Sequence, residues 1–253
     1  MQIMLLIIPA IRIIAGKCLF KVKYEDGSVC SDDPVEMAKL WRRENAKSLH
    51  ITDFDAANVG HFVNLGVVQK IIETVDIPIE LGGGIQSLVD AQRAFDIGVY
   101  RILIGTLFLE KPTEAVKILQ KYGGSKVVIG LSVENNKVVT KGWVKNSDFT
   151  LVDAAQHAKF LGFTRIVYRN IFTDGTTSSP NFDAIKEFAI ETGMRVTASG
   201  GIRGLNDLLK MQELVKHGVD SVVIGEALYE NKFSCQSIWR VCESMKYPFT
   251  AKV

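Results

Sequence analysis

Two glycine clusters 117 residues apart limit what this 253-residue chain can fold into. The first, Leu81-Gly82-Gly83-Gly84-Ile85, follows the apolar run Ile77-Pro78-Ile79 and precedes a segment of helical period from Leu88. The second, Ser199-Gly200-Gly201-Ile202, follows Arg195-Val196-Thr197-Ala198 and precedes another such segment from Leu205. Each is followed by a further short run ending in Ile-Gly: Ile104-Gly105-Thr106 and, 120 residues after Gly105, Ile224-Gly225-Glu226. Glycines where a strand passes into a helix let backbone N–H groups converge on an anion. One such cluster is equally well a tight turn. Repeated with its flanks, the pattern divides the chain into two equivalent halves, each with the form of a phosphate cradle.

The rest of the chain fits that repeat. Eight short runs rich in Ile and Val read as strands: Leu5–Ile11, Ser48–Asp53, Ile77–Leu81, Arg101–Ile104, Val127–Leu131, Arg165–Tyr168, Arg195–Ala198 and Ser221–Ile224. Near-continuous apolar strands suit a parallel sheet covered by helices. Helical periods fill the gaps at Pro34–Arg43, Leu65–Glu73, Leu88–Phe95, Thr113–Lys121, Leu151–Phe160, Phe182–Glu191 and Leu205–Lys216, and a last helix over about Ser234–Met245 would close the ring. Asp33-Pro34 supplies a cap and a first helical residue. Gly98, Gly162, Gly193 and Gly218 stand where helices end before strands. The pattern predicts an α/β fold, a single (β/α)8 TIM barrel over 1–253 with half-barrels of about 1–122 and 123–253. A doubly wound open sheet is the alternative, but it gives no reason for the glycine pattern to recur.

A composition 47% apolar is ample for one core, and a net charge of +2 favours neither nucleic acid nor a membrane surface as partner. Cys18, Cys30, Cys235 and Cys242 form no C-x-x-C motif and read as small apolar side chains of a reduced, cytoplasmic protein. The apolar run Ile3–Ile14 is broken by Pro9 and Arg12 and is too short for a membrane span. No His/Cys/Asp set has metal spacing and no Gly-x-Gly-x-x-Gly motif occurs, so neither a metal nor another cofactor is expected.

A barrel carries its chemistry at the C-terminal ends of its strands. The residues there are Arg12, Asp53, Gly83, Gly105, Ser132, Arg169, Gly200 and Gly225. Gly83, Gly84, Gly105 and Thr106 would form one phosphate site, and Ser199, Gly200, Gly201, Gly225 and Glu226 the other. The ligand expected is a small metabolite with two phosphates. His50 reads as a packed histidine and His61 as an exposed one.

Several stretches carry a resemblance. They are Ile7-Ile8-Pro9-Ala10-Ile11, Gly16-Lys17-Cys18, Ser31-Asp32-Asp33-Pro34-Val35-Glu36, Leu49-His50-Ile51-Thr52-Asp53-Phe54-Asp55 and Gly82-Gly83-Gly84-Ile85. Further along come Thr140-Lys141-Gly142-Trp143, Asp174-Gly175-Thr176, Ala198-Ser199-Gly200-Gly201-Ile202 and Gly225-Glu226-Ala227-Leu228-Tyr229. From about Leu6 to Phe233 the chain resembles the ribotide isomerase of histidine biosynthesis and, more distantly, the cyclase subunit of imidazole glycerol phosphate synthase. The resemblance implies a two-fold repeated barrel and a substrate with a phosphate at each end. It also implies an aldose-to-ketose rearrangement, run by Asp residues ending strands one and five with help from a Thr ending strand six. That chemistry needs an acid to open the sugar and a base to remove the C2′ proton.

The sequence departs from the family at those positions. Pro-Ala-Ile-Asp becomes Pro9-Ala10-Ile11-Arg12, Gly-Leu-Asp becomes Gly130-Leu131-Ser132, and Tyr-Thr-Asp becomes Tyr168-Arg169-Asn170. Gln86 stands where an Arg commonly follows Gly-Gly-Gly-Ile. An Arg stays protonated and a Ser offers no acidity near neutral pH. The changes shift the mouth by about +3 in charge, with the family carboxylates taken as ionised. The two arginines would either bind a more anionic ligand, such as one with a carboxylate between its phosphates, or fill the cavity themselves. Asp53 and Asp174 are the carboxylates left as candidates, each equally suited to holding a loop. Trp143 is a candidate substrate contact, since its family counterpart stacks on the substrate's imidazole. Three functions follow: an isomerase or lyase on a phosphosugar, a silent barrel that senses a metabolite or supports another enzyme, and a subunit partnered like the cyclase.

Overall fold

The computed structural model describes residues 4–22, 31–134, 137–140, 145–170 and 179–230. In chain order the elements are β1 (Leu6–Ile14), β2 (Lys17–Cys18), α1 (Pro34–Arg43), β3 (Leu49–Asp53), α2 (Phe54–Val59), α3 (Leu65–Thr74), β4 (Ile79–Gly82), α4 (Leu88–Asp96), β5 (Arg101–Ile104), α5 (Thr106–Glu110) and α6 (Pro112–Tyr122). They continue with β6 (Val127–Glu134), β7 (Lys137–Thr140), β8 (Lys145–Thr150), α7 (Leu151–Phe160), β9 (Arg165–Asn170), α8 (Phe182–Thr192), β10 (Arg195–Ser199), α9 (Leu205–Glu213), a 3-10 turn (Leu214–His217), β11 (Val219–Ile224) and α10 (Glu226–Tyr229). Eight strands pair in parallel in the order β1-β3-β4-β5-β6-β9-β10-β11, and β11 pairs β1 to close the ring. This is the (β/α)8 barrel that the repeated glycines require. The last helix read from the sequence, Ser234–Met245, lies outside the described residues.

Pleating sorts each strand into two faces. Ile7, Ile11 and Ile13 join the apolar layer between strands and helices with Met37 and Trp41, whereas Ile8 and Ala10 meet Val223 inside the barrel. Parallel register carries the inward face round the ring. Arg12 pairs Thr52, Thr52 pairs Gly82 and Gly82 pairs Leu103. On the far side Ser132 pairs Arg169, Arg169 pairs Ser199 and Ser199 pairs Val223. Arg12, Ser132 and Arg169 therefore sit on the inner wall near its C-terminal rim.

Helix ends follow their local chemistry. Asp33 accepts from the Val35 N–H with Pro34 in the first turn, and Gly98, Gly162, Gly193 and Gly218 all take positive φ after helices. The structure adds to the sequence reading. β1, β6 and β9 run past Ile11, Leu131 and Tyr168 to Ile14, Glu134 and Asn170; Lys137–Thr140 and Lys145–Thr150 form the antiparallel strands β7 and β8; β2, α2, α5 and α10 are further short elements; and the helix from Leu205 tightens into a 3-10 turn at Leu214. The pairing of β6 with β7 sets Ser132 opposite Val139, which brings the extra strands over the mouth.

Candidate ligand site at the barrel mouth

At the first rim, Gly83 and Gly84 have φ of +103° and +76°. A Cβ on Gly83 would lie 2.3 Å from the Asp53 carbonyl oxygen, and one on Gly84 2.8 Å from the Ala56 Cβ. The turn after β4 thus rests directly on the turn after β3, and only glycine fits there. Gly200 and Gly201 repeat the conformation at the second rim, with φ of +94° and +79°. Gly105 and Gly225 each occupy the N-cap position of a short helix, α5 and α10, and Thr106 and Glu226 are the first helical residues.

A cavity of about 130 Å³ opens at the mouth over the first rim. Gly83, Gly84, Gly105 and Thr106 line one side and Ser132, Thr140 and Arg169 the other, with His50, Thr52, Leu103 and Val167 deeper and Gln86 at the edge. Among the described residues its lining includes no Asp and no Glu; its polar side chains are the hydroxyls of Thr52, Thr106, Ser132 and Thr140, the Gln86 amide, the His50 imidazole and the Arg169 guanidinium. Ser199, Gly200, Gly201, Gly225 and Glu226 lie outside this lining.

Arg12 and Arg169 are held differently. Arg12 is 9% exposed, and its guanidinium carbon sits 5.3 Å from the centre of the Phe20 ring and 5.7 Å from that of Phe54. Two aromatic faces on a buried cation stabilise it by about 0.5–2 kcal/mol each. Phe20 in turn packs on Tyr229, whose hydroxyl donates to the Ala10 carbonyl at 2.8 Å, so the clamp is tied to β1 itself. Arg12 is not among the residues lining the cavity. Arg169, 7% exposed, is; its Nε lies 3.4 Å from the Ser199 Oγ.

Asp53 is fully buried and caps α2. Its oxygens accept from the Ala56 N–H at 3.0 Å, the Asn64 N–H at 2.8 Å and the Asn64 side-chain amide at 2.7 Å. Asn64 also donates to Asp55 and accepts from the Gly16 N–H, while Asp55 accepts from the Ala15 N–H. This web fixes the loops after β1 and β3; Asp53 does not line the cavity. Asp174 and Trp143 lie outside the described residues.

Beneath the cavity runs a buried chain of polar groups. The His50 Nε2 meets the Thr52 hydroxyl at 3.2 Å, its Nδ1 meets Glu80 at 2.7 Å, and Glu80 also receives Arg101 at 3.3 Å. Burial pushes the Glu80 carboxyl up, but hydrogen bonds and charge from His50 and Arg101 outweigh it and hold it below its ordinary value. His50 is packed, as its place in a strand suggests, and it also lines the cavity. Glu80 and Asn64 escape sequence reasoning. The signal for Glu80 is a lone carboxylate inside an apolar strand, with Arg101 opening the next strand.

Against known families, residues 6–234 match the family described as histidine biosynthesis protein. Among curated relatives, the 1-(5-phosphoribosyl)-5-((5-phosphoribosylamino)methylideneamino) imidazole-4-carboxamide isomerase of Chlorobium phaeobacteroides is 43% identical, over 93% of this chain and 91% of the relative. The isomerases of the same name from Chloroherpeton thalassium and Prosthecochloris aestuarii are 42% and 41% identical; the matches cover 94% and 93% of this chain and 92% and 91% of those relatives. The chain belongs to the histidine biosynthesis protein family. Among the described residues no helix is long and apolar enough to cross a membrane.

Proposed function

We propose that this protein binds a phosphosugar with two phosphates at the barrel mouth and that the isomerisation named for its relatives is lost or altered in it. One observation carries the reading. The wall positions where the family resemblance expects an acid, a base and a threonine hold Arg12, Ser132 and Arg169, and the last two line a cavity together with the first glycine rim. A guanidinium neither gives nor takes a proton near neutral pH, and among the described residues lining the cavity the one imidazole, His50, is itself engaged by Glu80 and Thr52. The first rim supports phosphate binding through the turn of Gly83 and Gly84 and the N–H groups after Gly105.

Complementation tests the loss. The gene is placed in a bacterial strain lacking the ribotide isomerase, and no growth without histidine is expected. Growth on minimal medium overturns the proposal. A second reading, a working isomerase that uses a different acid and base, is favoured by the 43% identity over 93% of the chain; the same experiment chooses between them.

A further inference from the structure

Resting on the phosphosugar reading, we infer that the floor of the first-rim cavity recognises a ligand hydroxyl through Thr52, whose oxygen His50 and Glu80 set as an acceptor. The floor is built on three adjacent strands. His50 and Thr52 stand two apart on β3 and so share its inner face. Glu80 lies beside His50 on β4, and Arg101 beside Glu80 on β5. His50 and Thr52 both line the cavity.

Hydrogen-bond direction runs one way along this chain of groups. Arg101, a donor only, reaches one Glu80 oxygen at 3.3 Å and favours the ionised carboxylate. A carboxylate only accepts, so the His50 Nδ1, 2.7 Å from the other oxygen, carries a proton. Arg101 and Glu80 balance each other in charge, and a neutral imidazole completes the group without adding an unpaired buried cation. In the neutral ring the other nitrogen, Nε2, is the acceptor. The Thr52 hydroxyl, 3.2 Å from Nε2, therefore donates to it. That bond takes the one proton of the hydroxyl, while its oxygen keeps acceptor capacity at a residue that opens to the cavity. A buried acceptor selects a donor from the ligand and penalises a carbonyl at the same place, because two acceptors cannot pair. Thr52 also pairs Gly82 across the sheet, next to the Gly83 turn, so one short ligand reaches both the rim with a phosphate and the floor with a hydroxyl.

The experiment compares three probes that share a phosphate and a short carbon chain. Propane-1,2-diol 1-phosphate carries a hydroxyl beside the phosphate-bearing carbon, hydroxyacetone phosphate carries a carbonyl there, and propyl phosphate carries neither. Titration of the full chain followed by NMR is expected to show the hydroxyl probe bound about tenfold more tightly than either of the others. Nitrogen NMR of His50 should show Nδ1 protonated and Nε2 bare. In Thr52→Val the three probes should bind alike, and Thr52→Ser should restore the preference. Glu80→Gln no longer fixes the Nδ1 proton and should lose most of the preference, a ratio within one variant that a change in stability alone does not move. Equal affinities for the wild-type chain, or a preference for the carbonyl, overturn the inference and leave phosphate binding at the rim standing. Binding of none of the probes overturns both. Protonation of His50 at Nε2, alone or together with Nδ1, refutes the acceptor. A preference that survives in Thr52→Val refutes the assignment to Thr52, and one unchanged in Glu80→Gln refutes the part given to Glu80.

Discussion

Gly83 and Gly84 take φ of +103° and +76°; Gly200 and Gly201, 117 residues on, take +94° and +79°. The correspondence extends well beyond the turns. Gly98 and Gly218 close their helices at +96° and +102°. Asp90 accepts from the Gln86 N–H at 3.1 Å, and Asp207 accepts from the Arg203 N–H at 3.0 Å. The side chains diverge on this shared backbone. Thr106 faces Glu226 as its counterpart, Gln86 faces Arg203, and the buried pair Glu80–Arg101 corresponds to the hydroxyl pair Thr197–Ser221. One half has a neutral rim over a charged floor. The other has a charged rim over hydroxyls, with Arg165 bound to Asp220 at their edge. Backbone geometry set by glycine leaves the side-chain chemistry of each half free to vary.

The floors should show the largest difference. Glu80→Ala leaves His50 and Arg101 facing a buried gap and should cost about 3–5 kcal/mol in urea unfolding. Thr197→Val, at the matching place, removes one hydroxyl partner of Ser221 and should cost about 1 kcal/mol. Equal losses would remove the distinction between a charged and a neutral floor. The pH dependence sharpens it. Glu80 is held below its ordinary value in the fold, so its contribution is complete above the ordinary range and is lost as pH falls through the folded value. The stability gap between wild type and Glu80→Gln should therefore be constant near neutrality and narrow below about pH 4. A gap that widened in acid would mean the carboxyl is held up instead.

The rims come next. A Cβ on Gly105 would lie 2.6 Å from the Gly130 carbonyl oxygen, a backbone atom of β6 that cannot swing aside. On Gly225 the nearest atom is the Ala10 Cβ at 3.9 Å, ordinary contact. Gly105→Ala should cost about 2–3 kcal/mol, as overpacking does, and Gly225→Ala less than about 1 kcal/mol. Thermal melts of the two variants decide. Similar losses would mean that both rims are equally crowded.

The strands were legible because burial on both faces makes each a run of Ile and Val. Three strand ends were not, and for one reason. Arg12, Ser132 and Arg169 are polar residues that pleating turns into the barrel, so each strand reads as ending where its inner face turns polar. The hairpin strands were missed although Asn135-Asn136 between valine-rich runs is a turn signal. The rim glycines could be read by their repeat. The fate of Arg12 could not, since Phe20 reaches it from the segment after β2 and Phe54 from the start of α2. Asn64 was equally hidden, its partners lying at Gly16, Asp53 and Asp55.

The smallest effect distinguishes the two rims by salt. Asp90 is held by the Gln86 N–H and the Ser87 hydroxyl at 2.7 Å, both neutral donors. Asp207 is held by the Arg203 N–H and by the Arg203 guanidinium at 3.6 Å, a side chain 48% exposed. Removing either carboxylate frees a buried turn donor, so Asp90→Ala and Asp207→Ala should each cost about 1 kcal/mol. A partly exposed ion pair is screened, and its share is a few tenths of a kcal/mol at most. The Asp207→Ala cost should therefore shrink measurably between about 0.05 and about 1 M salt, over which the Debye length falls from about 14 Å to about 3 Å, while the Asp90→Ala cost holds. If both costs respond alike, Arg203 contributes packing and not charge, and the two rims differ in composition without differing in electrostatics.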